Sequence, residues 1–246
     1  MSSTISMPKT AMLLSAGYGN RMRPLTDEKP KPLIEVGGRA MLDRALDRLV
    51  DAGIETVVVN LHYKGEMIRT HLAGRKDVEI VFSEEEKLME TGGGVKLALP
   101  MLGEGPFIVA NSDTVWLDGP SSALGRMAVE WNPEAMDALL LVHSGAAAWG
   151  YEGIGDFTMD EFGKISRRGE IYVAPFVFTG VQFLTAGLFE DTPDGPFSLN
   201  LVYDRLIERE RLYGIAHDGE WHHVGTPFQL RMVEQRFGDP STISDK

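Results

Sequence analysis

Residues 10–20 read TAMLLSAGYGN, an apolar run that passes directly into a glycine-rich turn. The run at 10–15 has the length and composition of a buried strand. Glycines placed immediately after a strand let backbone N–H groups approach phosphate oxygens, because no side chain blocks the way. The stretch therefore predicts a strand followed by a tight loop that can bind a small phosphate group.

Helices and strands alternate after this loop. Apolar residues at helical spacing predict a helix at 40–51, ended by Gly53, and β-branched residues predict a strand at 55–60. The first half continues with a helix at 64–72, a strand at 78–82, a helix after Gly94 and a buried strand at 107–111. This alternation implies an α/β fold whose largely parallel sheet is covered by helices on both faces.

The second half is richer in strands. Strands are predicted at 138–143, 155–159, 171–173, 176–184, 213–216 and 220–224, with helices at 199–209 and 227–237. Short strands that follow one another without an intervening helix cannot all be parallel. We therefore expect antiparallel additions to the sheet in this half.

Length and composition indicate one domain. A chain of 246 residues with 43% apolar residues can bury a sizeable core. We expect a flexible tail at 1–9, a single domain at 10–238 and a C-terminal tail at 239–246. The first nine residues lack an export signal, and no apolar run approaches the roughly 20 residues that span a bilayer. Together with the absence of cysteine, these features predict a cytoplasmic protein without a membrane partner.

The charge distribution points to a small anionic ligand. A net charge of −12 argues against nucleic acid as a partner, since binding to a phosphate backbone needs clustered Lys and Arg. Basic residues are concentrated at 21–31, directly after the glycine-rich turn. Arg21 and Lys31 would add positive charge to the predicted loop, and such charges promote phosphoryl transfer by positioning and electrostatic stabilisation.

The loop matches neither of two common nucleotide motifs. The Walker A spacing is absent, and the third glycine of a dinucleotide fingerprint is replaced by Met22. A lone Gly-x-Gly would be a simple tight turn followed by a solvated basic loop. The added segments RMRPLT at 21–26 and PKP at 30–32 favour a phosphate site instead.

This combination resembles the signature of the sugar-1-phosphate nucleotidyltransferases, Gly-x-Gly-x-Arg-(Met or Leu)-x-Pro-Leu-Thr with Lys-Pro-Leu downstream. The resemblance runs from residue 9 to about 237. It implies a Rossmann-like, mostly parallel mixed sheet flanked by helices, of the GT-A-like type, with a β-rich second half that binds the sugar. It also implies that Arg21 and Lys31 are catalytic, and that the nucleotide is bound by Ser15, Ala16, Gly17, Gly19 and Asn20.

A second glycine cluster has the sequence ETGGG at 90–94. Three consecutive glycines indicate a close approach of the backbone to a ligand, or alternatively a flexible helix start capped by Thr91. In the resembling family an element at this position contacts the nucleobase. The resemblance therefore implies further nucleotide-binding residues at Glu90, Thr91, Gly92 and Gly93.

Asp113 follows the predicted strand at 107–111. Ligands of open α/β sheets bind at the carboxyl ends of the strands, where a carboxylate can hold a hard cation, although a turn or helix-capping role is common for Asp. The family has Gly-Asp here, and Ser112 replaces the glycine. The resemblance implies that Asp113 is catalytic and binds Mg²⁺, the expected cofactor.

The segment WHHVGT at 221–226 departs from the family pattern Trp-x-Asp-x-Gly-Thr. His223 occupies the position of the second metal-binding aspartate. Strand alternation places His222 and His223 on opposite faces, so the two should not bind one ion together. Three readings remain open. Asp113 alone holds magnesium, His223 acts at longer range or on a softer metal, or Asp218 or Glu220 supplies the second carboxylate; we favour the first.

The residues that would bind the sugar are the hardest to predict from the sequence. The resemblance places sugar contacts at Asp156, Thr179 and Gly180, although each is also compatible with an ordinary turn or strand. The Glu-Lys-Pro segment of several glucose- and mannose-specific relatives is missing. This absence weakens assignment to those branches.

Within the family, the chain most resembles the N-acetylmuramate 1-phosphate uridylyltransferases of cell-wall recycling. The expected partners are UTP, or another nucleoside triphosphate, and a sugar 1-phosphate, and the expected state is a monomer or weak homodimer. A guanylyltransferase acting on mannose or heptose 1-phosphate is the nearest alternative. The alternative that is not an enzyme is a protein that binds nucleotide or sugar phosphate without catalysis. It is suggested by His223, which replaces the second metal-binding carboxylate.

Overall fold

The computed structural model describes residues 7–170 and 172–238, which contain thirteen β-strands and seven α-helices. The strands are β1 (Thr10–Leu14), β2 (Glu35–Val36), β3 (Arg39–Ala40), β4 (Thr56–Leu61), β5 (Glu79–Glu84), β6 (Phe107–Asn111), β7 (Val115–Leu117), β8 (Ala138–Ser144), β9 (Phe157–Met159), β10 (Ile165–Arg167), β11 (Phe176–Leu184), β12 (Leu212–Ala216) and β13 (Glu220–His222). The helices are α1 (Leu25–Glu28), α2 (Met41–Asp51), α3 (Gly65–Leu72), α4 (Glu90–Leu102), α5 (Ala123–Glu130), α6 (Asn200–Glu208) and α7 (Pro227–Gly238).

Nine strands form the central sheet. Seven of them follow the order β10-β9-β11-β6-β1-β4-β5, while β8 pairs with β11 and β12 pairs with β8. Strands β6, β1, β4 and β5 are parallel, whereas β11 runs antiparallel to both β6 and β8. The predicted fold class is confirmed, including the antiparallel additions in the second half.

Strand β1 lies in the middle of the sheet and is buried on both faces. Ala11 and Leu13 belong to the same core cluster as the apolar face of α2, whereas Met12 packs in a second cluster with Val95 and Ala98 of α4. This two-sided burial explains why the sequence of β1 is an uninterrupted apolar run.

Several predicted boundaries need correction. The glycines at 92–94 lie inside the first turns of α4 and not before it. Of the strand predicted at 171–173, residue 171 lies outside the described residues, and Tyr172 and Val173 are exposed and not in a strand. Strands β2, β3, β7 and β10 and helices α1 and α5 were not predicted, because short elements carry too few residues for a clear periodicity.

The predicted tails are only partly covered by the structure. Residues 1–6 and 239–246 lie outside the described residues. Within the first predicted tail, Pro8 is buried and the carbonyl of Lys9 accepts hydrogen bonds from the N–H groups of Glu55 and Thr56. Residues 7–9 are therefore packed against the sheet and are not a tail.

The carboxyl ends of the parallel strands meet at one edge of the sheet. The glycine-rich loop leaves β1 there, Asn60 lies near the end of β4, and Asp113 follows β6. Such an edge is where ligands bind in open α/β sheets. Within the described ranges, no helix combines the length and apolar character needed to span a bilayer.

Candidate active site

The loop that follows β1 presents backbone N–H groups to a cavity. Ala16, Gly17 and Gly19 line this cavity, and none of the described residues accepts a hydrogen bond from their N–H groups. The preceding N–H, that of Ser15, donates to Oδ1 of Asn60 at 2.6 Å, which fixes the start of the loop. Backbone donors without a protein acceptor are suited to bind an anion.

Gly19 is required by the local geometry. Its φ of +63° lies in the left-handed region that favours glycine. A β-carbon here would lie 2.9 Å from Cγ2 of Thr26 and 3.0 Å from Cβ of Lys31. The loop therefore packs directly against the segment that carries Lys31, and only a glycine allows this approach.

Lys31 and Asp113 form an ion pair at the cavity wall. They are 82 residues apart in the sequence, and Nζ of Lys31 donates to Oδ2 of Asp113 at 2.6 Å. The side chain of Lys31 is 12% exposed and that of Asp113 is 34% exposed. Arg21 lines the same cavity, so the three residues predicted to be catalytic are brought together.

The ion pair controls the protonation of Asp113. Burial opposes ionisation of this carboxyl, but the charge of Lys31 and the hydrogen bond that it donates outweigh burial and hold the pKa of Asp113 below its ordinary value. Asp113 is therefore a carboxylate at neutral pH and can interact with cations.

His223 lies close to the same charges. Burial, followed by the charges of Lys31 and Arg21, lowers the pKa of His223 despite the opposing effect of Asp113. A β-carbon on Gly225 would lie 2.7 Å from Nε2 of His223 and 3.4 Å from Nη1 of Arg21, so these two side chains flank Gly225. His223 is therefore a neutral imidazole beside the cationic groups.

The predicted alternation of faces around His223 is confirmed. The buried ring of Trp221 lies 5.8 Å from the ring of His223, whereas His222 stacks on Trp149 at 6.2 Å. The two histidines therefore point to different surroundings and cannot bind one ion together.

The charged groups around the cavity limit how a metal can bind. Asp218 pairs with Arg126 and Glu220 pairs with Arg236, and neither acid lines the cavity. Within residues 7–170 and 172–238, no cluster of three or more His, Cys, Asp or Glu side chains could hold a metal ion. Magnesium needs only one or two carboxylates when waters and phosphate oxygens complete its shell. Asp113 fits a magnesium ion that arrives with a triphosphate.

The cavity has a volume of about 420 Å³. Most of the residues predicted to bind the nucleotide line it, and the lining residues among these predictions are Ser15, Ala16, Gly17, Gly19, Asn20, Glu90 and Thr91. Residues outside the sequence motifs also line it, including Asn60, Glu85 and Leu88. The cavity thus joins the phosphate loop to the start of α4.

Gly92 and Gly93 do not line the cavity, so its geometry gives no support to their predicted contact with the nucleotide. Their N–H groups donate to the carbonyl of Phe197 at 2.8 and 3.1 Å. A β-carbon on Gly92 would lie 2.3 Å from the Phe197 ring, and one on Gly93 would lie 2.5 Å from the Gly195 carbonyl oxygen. The glycines allow a close approach to another part of the chain, which a sequence pattern alone does not distinguish from a close approach to a ligand.

A buried network connects the two sides of the cavity. The carboxylate of Glu85 accepts hydrogen bonds from Nδ2 of Asn60 at 2.6 Å and from the N–H of Met89 at 2.9 Å. Asn60 in turn accepts from Ser15, so a chain of hydrogen bonds runs from the phosphate loop to the residue before α4. The signal that could have revealed Asn60 and Glu85 is their polarity at the carboxyl ends of β4 and β5.

A second cavity of about 280 Å³ adjoins the first. Leu14, Thr91 and Asn111 line both cavities, which are therefore neighbours at the end of β1. Asp156 lines the second cavity, and its Oδ2 accepts a hydrogen bond from the N–H of Phe178 at 2.8 Å. Asp156 therefore lies in a cavity next to the phosphate loop, and its contact with a sugar stays a prediction.

Thr179 and Gly180, the other residues predicted on the sugar side, line neither cavity. The hydroxyl of Thr179 donates to the carbonyl of Leu141 at 2.7 Å, and its own carbonyl accepts from Nε1 of Trp221. Gly180 belongs to β11, the neighbour of β6 in the sheet, and a β-carbon on it would be 2.7 Å from Nδ2 of Asn111. Both residues pack within the sheet, so the geometry gives no support to their predicted contacts with the sugar.

The second cavity also contains residues that no motif indicated. Its aromatic wall is formed by Phe157, Phe178 and Tyr203, and its polar groups include Arg167 and Asn200. These residues come from separate strands and from α6. The sequence offered no signal for them, since β10, which ends at Arg167, was not itself predicted.

Comparisons with known proteins agree with this geometry. Residues 10–151 match the family model described as Nucleotidyl transferase. The chain is 42% identical to the N-acetylmuramate alpha-1-phosphate uridylyltransferase of Caulobacter vibrioides, over 94% of this chain and 98% of that protein. It is 29% identical to the mannose-1-phosphate guanylyltransferase catalytic subunit beta of Drosophila pseudoobscura pseudoobscura, over 91% of this chain and 61% of that protein.

A solved structure of a UDP-glucose pyrophosphorylase complexed with UDP-glucose has the same fold. It matches with a TM-score of 0.78 over 94% of this chain and 99% of that chain, at 14% sequence identity. At this level of identity the similarity concerns the fold alone.

Proposed function

This chain belongs to the nucleotidyl transferase family, and we propose that it transfers UMP from UTP to N-acetylmuramic acid 1-phosphate in cell-wall recycling. The products are UDP-N-acetylmuramic acid and pyrophosphate. The observation that carries the proposal is the pair of adjoining cavities, with Lys31, Arg21 and Asp113 in the larger one. The 42% identity to a uridylyltransferase over nearly the full length of both chains supports the choice of substrates.

The proposed reaction is a direct displacement at phosphorus. An oxygen of the sugar 1-phosphate attacks the α-phosphorus of UTP, and the bond from this phosphorus to the bridging α–β oxygen breaks as pyrophosphate leaves. The attacking group is already anionic, so no side-chain nucleophile and no covalent enzyme intermediate are needed. The chain has to align the two phosphates and offset their repulsion.

The side chains of the first cavity are suited to this task. Arg21 and Lys31 bring positive charge to the phosphates, and the free N–H groups of the loop provide fixed donors to phosphate oxygens. Asp113 would hold magnesium, which when bound supplies further neutralisation of the triphosphate charge. His223, neutral and flanked by cations, is better suited to hydrogen bonding than to binding magnesium.

The second cavity would receive the sugar. It adjoins the phosphate cavity through Leu14 and Asn111, so a sugar attached to a phosphate near Lys31 can extend into it. Asp156 offers a carboxylate to sugar hydroxyl groups, and the aromatic wall offers apolar surface to the ring. We further propose that the protein acts in the cytoplasm as a monomer or weak homodimer.

A guanylyltransferase is the second candidate, since the chain is 29% identical to a mannose-1-phosphate guanylyltransferase subunit. The test is pyrophosphate release by the purified chain with each nucleoside triphosphate, magnesium and a panel of sugar 1-phosphates. We expect turnover with UTP and N-acetylmuramic acid 1-phosphate. Turnover with GTP and mannose or heptose 1-phosphate alone would overturn the proposal, and binding without release of pyrophosphate would favour a non-catalytic role.

The role of the ion pair is tested by substitution. We expect Lys31→Met and Asp113→Asn each to lower kcat/KM by about 10²- to 10³-fold. The first removes a positive charge that offsets the charge of the phosphates, and the second removes the carboxylate that would hold magnesium. Lys29→Met is the matched control, because Lys29 is 41% exposed and 3.8 Å from Glu35, and it should retain activity. Circular dichroism verifies that the variants fold. Near wild-type turnover of Asp113→Asn would contradict the metal assignment.

A further inference from the structure

We propose that Arg167 recognises a carboxylate on the sugar and thereby selects an acidic sugar 1-phosphate. The inference rests on the proposed function and adds a specificity-determining residue to it. In N-acetylmuramic acid the carboxylate belongs to the lactyl ether on C3. N-acetylglucosamine has the same ring and acetamido group but lacks this ether.

Arg167 is held in place by contacts on two sides of its guanidinium group. It is the last residue of β10, and its Nε donates to Oδ1 of Asp204 at 2.7 Å. Its Nη2 donates to Oδ1 of Asn200 at 2.9 Å. The guanidinium carbon lies 5.0 Å from the centre of the Phe157 ring. These contacts fix the side chain at the wall of the second cavity, so little conformational freedom remains to be lost when a ligand binds.

One part of the guanidinium group remains available. Among the described residues, none accepts a hydrogen bond from Nη1 of Arg167, which carries two N–H donors. The side chain is 36% exposed, so the group is neither fully hydrated nor sealed in the core. A preoriented guanidinium with two free donors is well suited to a carboxylate.

The charges of the second cavity favour an anionic substituent at this point. Among the described residues that line it, Arg167 is the sole cation and Asp156 is the sole carboxylate. Asp156 already accepts a hydrogen bond from Phe178, and it suits the hydroxyl groups of a sugar. Neutral sugars can be bound by such neutral and acidic groups, whereas a substrate carboxylate in a chain of net charge −12 needs a local cation.

The experiment compares two substrates that differ by the lactyl ether. Initial rates with UTP are measured for N-acetylmuramic acid 1-phosphate and N-acetylglucosamine 1-phosphate, using the wild-type chain, Arg167→Gln, Arg167→Lys and Arg168→Gln. We expect Arg167→Gln to lower kcat/KM for the muramic acid substrate by about 10- to 100-fold, mainly through KM, because a charge-assisted hydrogen bond is lost. Its kcat/KM for the glucosamine substrate should change less than about threefold, within the ordinary range of a surface substitution.

The other variants serve as controls. Arg167→Lys keeps the charge and should restore part of the preference, whereas Arg168→Gln changes a neighbouring arginine that does not line the cavity and should behave as wild type. If Arg167→Gln does not fold, the wild-type chain is assayed with the carboxamide of the lactyl group. Loss of the same magnitude with this neutral substrate is then the expected result.

The outcomes separate this inference from the proposed function. Wild-type turnover of N-acetylmuramic acid 1-phosphate with UTP tests the proposed function by itself. If that turnover is present but Arg167→Gln affects both sugars equally, or affects neither, the role of Arg167 is wrong while the proposed function stands. If the wild-type chain does not use N-acetylmuramic acid 1-phosphate at all, both are overturned.

Discussion

Gly17 and Gly19 lie two residues apart in the phosphate loop, but a methyl group added to each meets different surroundings. A β-carbon on Gly19 would contact Thr26 and Lys31 at 2.9 and 3.0 Å, whereas one on Gly17 would find no atom within 4 Å. Gly19 also has a φ of +63°, which Gly17 does not share. The two glycines therefore serve different purposes, one in the fold and the other in access to the cavity.

We expect Gly19→Ala to destabilise the chain by about 2 kcal/mol, because alanine is strained in the left-handed region and its methyl group clashes. Gly17→Ala should keep the wild-type free energy of unfolding within about 0.5 kcal/mol but raise KM for UTP, because the new methyl group faces the proposed triphosphate site. Urea unfolding and initial rates measure the two effects. Equal destabilisation by both substitutions would show that this distinction is wrong.

His222 makes stability depend on pH. Burial is the main cause that lowers its pKa to about 4, and Nε2 lies 3.2 Å from Oε2 of Glu220 in an orientation that forms no hydrogen bond. Between pH 6.5 and about 4 the unfolded chain binds a proton that the folded chain does not bind. The free energy of unfolding is therefore complete above pH 6.5 and falls as the pH is lowered towards 4, by at most about 1.4 kcal/mol per pH unit for this group.

We expect His222→Phe to reduce the loss of stability between pH 7 and pH 5, since phenylalanine keeps the aromatic contact with Trp149 and does not titrate. Urea unfolding at both pH values measures this. The pKa of His217 is also lowered, chiefly by burial, so part of the pH dependence should remain in the variant. An unchanged pH dependence would indicate that His222 is protonated in the folded chain.

At the scale of secondary structure, α4 depends on small residues at its first turns. Gly93 lies against the carbonyl oxygen of Gly195, 2.5 Å from where its β-carbon would be, whereas Gly125 of α5 would place a β-carbon at an ordinary 3.5 Å from Ser122. Both glycines are helical, so their intrinsic helix propensities are the same. Only the packing around them differs.

We expect Gly93→Ala to destabilise the chain by about 1–3 kcal/mol, because the backbone of residue 195 would have to move. Gly125→Ala should stabilise it by about 0.5–1 kcal/mol, because alanine favours a helix and meets no obstacle. Thermal unfolding of the two variants measures the difference. Stabilisation by Gly93→Ala would mean that the segment at 195–197 is not packed on α4.

Strands β9 and β10 are short, but their pairing positions a residue of the second cavity. They form a short antiparallel pair at the edge of the central sheet, with Arg167 opposite Phe157. This pairing brings Arg167 close to Asp204 and Asn200 of α6, 37 and 33 residues further along the chain. A three-residue strand thus positions Arg167, which is the one cation among the described residues that line the second cavity.

At the scale of the whole molecule, the site is assembled from segments that are far apart in the chain. Hydrogen bonds that cross it join Ser15 to Asn60 and Asn60 to Glu85, over 45 and 25 residues, and the Lys31–Asp113 pair spans 82 residues. The central sheet holds these segments in fixed relative positions. Binding of metal, in contrast, depends on a ligand, since a single carboxylate beside Lys31 makes a weak site by itself.

We expect a chelator to abolish pyrophosphate release but to leave the unfolding temperature of the ligand-free chain unchanged. The reason is that no cluster of three or more His, Cys, Asp or Glu in the described part of the chain could hold a metal. UTP with magnesium should stabilise the chain by about 2.7 kcal/mol at a ligand concentration 100 times Kd. UTP with chelator serves as the control and should stabilise it less. A lower unfolding temperature caused by chelator alone would reveal a metal site that the proposal does not include.

The parallel part of the sheet and the phosphate loop could be predicted from the sequence. Strands β1, β4 and β6 are buried runs with a clear composition, and the residues at 15–31 that carry the phosphate chemistry are contiguous. Contiguous motifs can be read from a sequence because the backbone itself keeps their residues close. The identification of Arg21, Lys31 and Asp113 as neighbours followed from the family resemblance and the strand ends.

Which other residues join the site depends on how distant segments pack together. This packing directs the N–H groups of Gly92 and Gly93 to Phe197, places Thr179 and Gly180 within the sheet, and brings Arg167 to the second cavity. The physical reason is that periodicity indicates which face of an element is buried but not which distant segment covers it. A glycine that allows the close approach of a ligand and one that allows the close approach of another backbone segment look the same in the sequence.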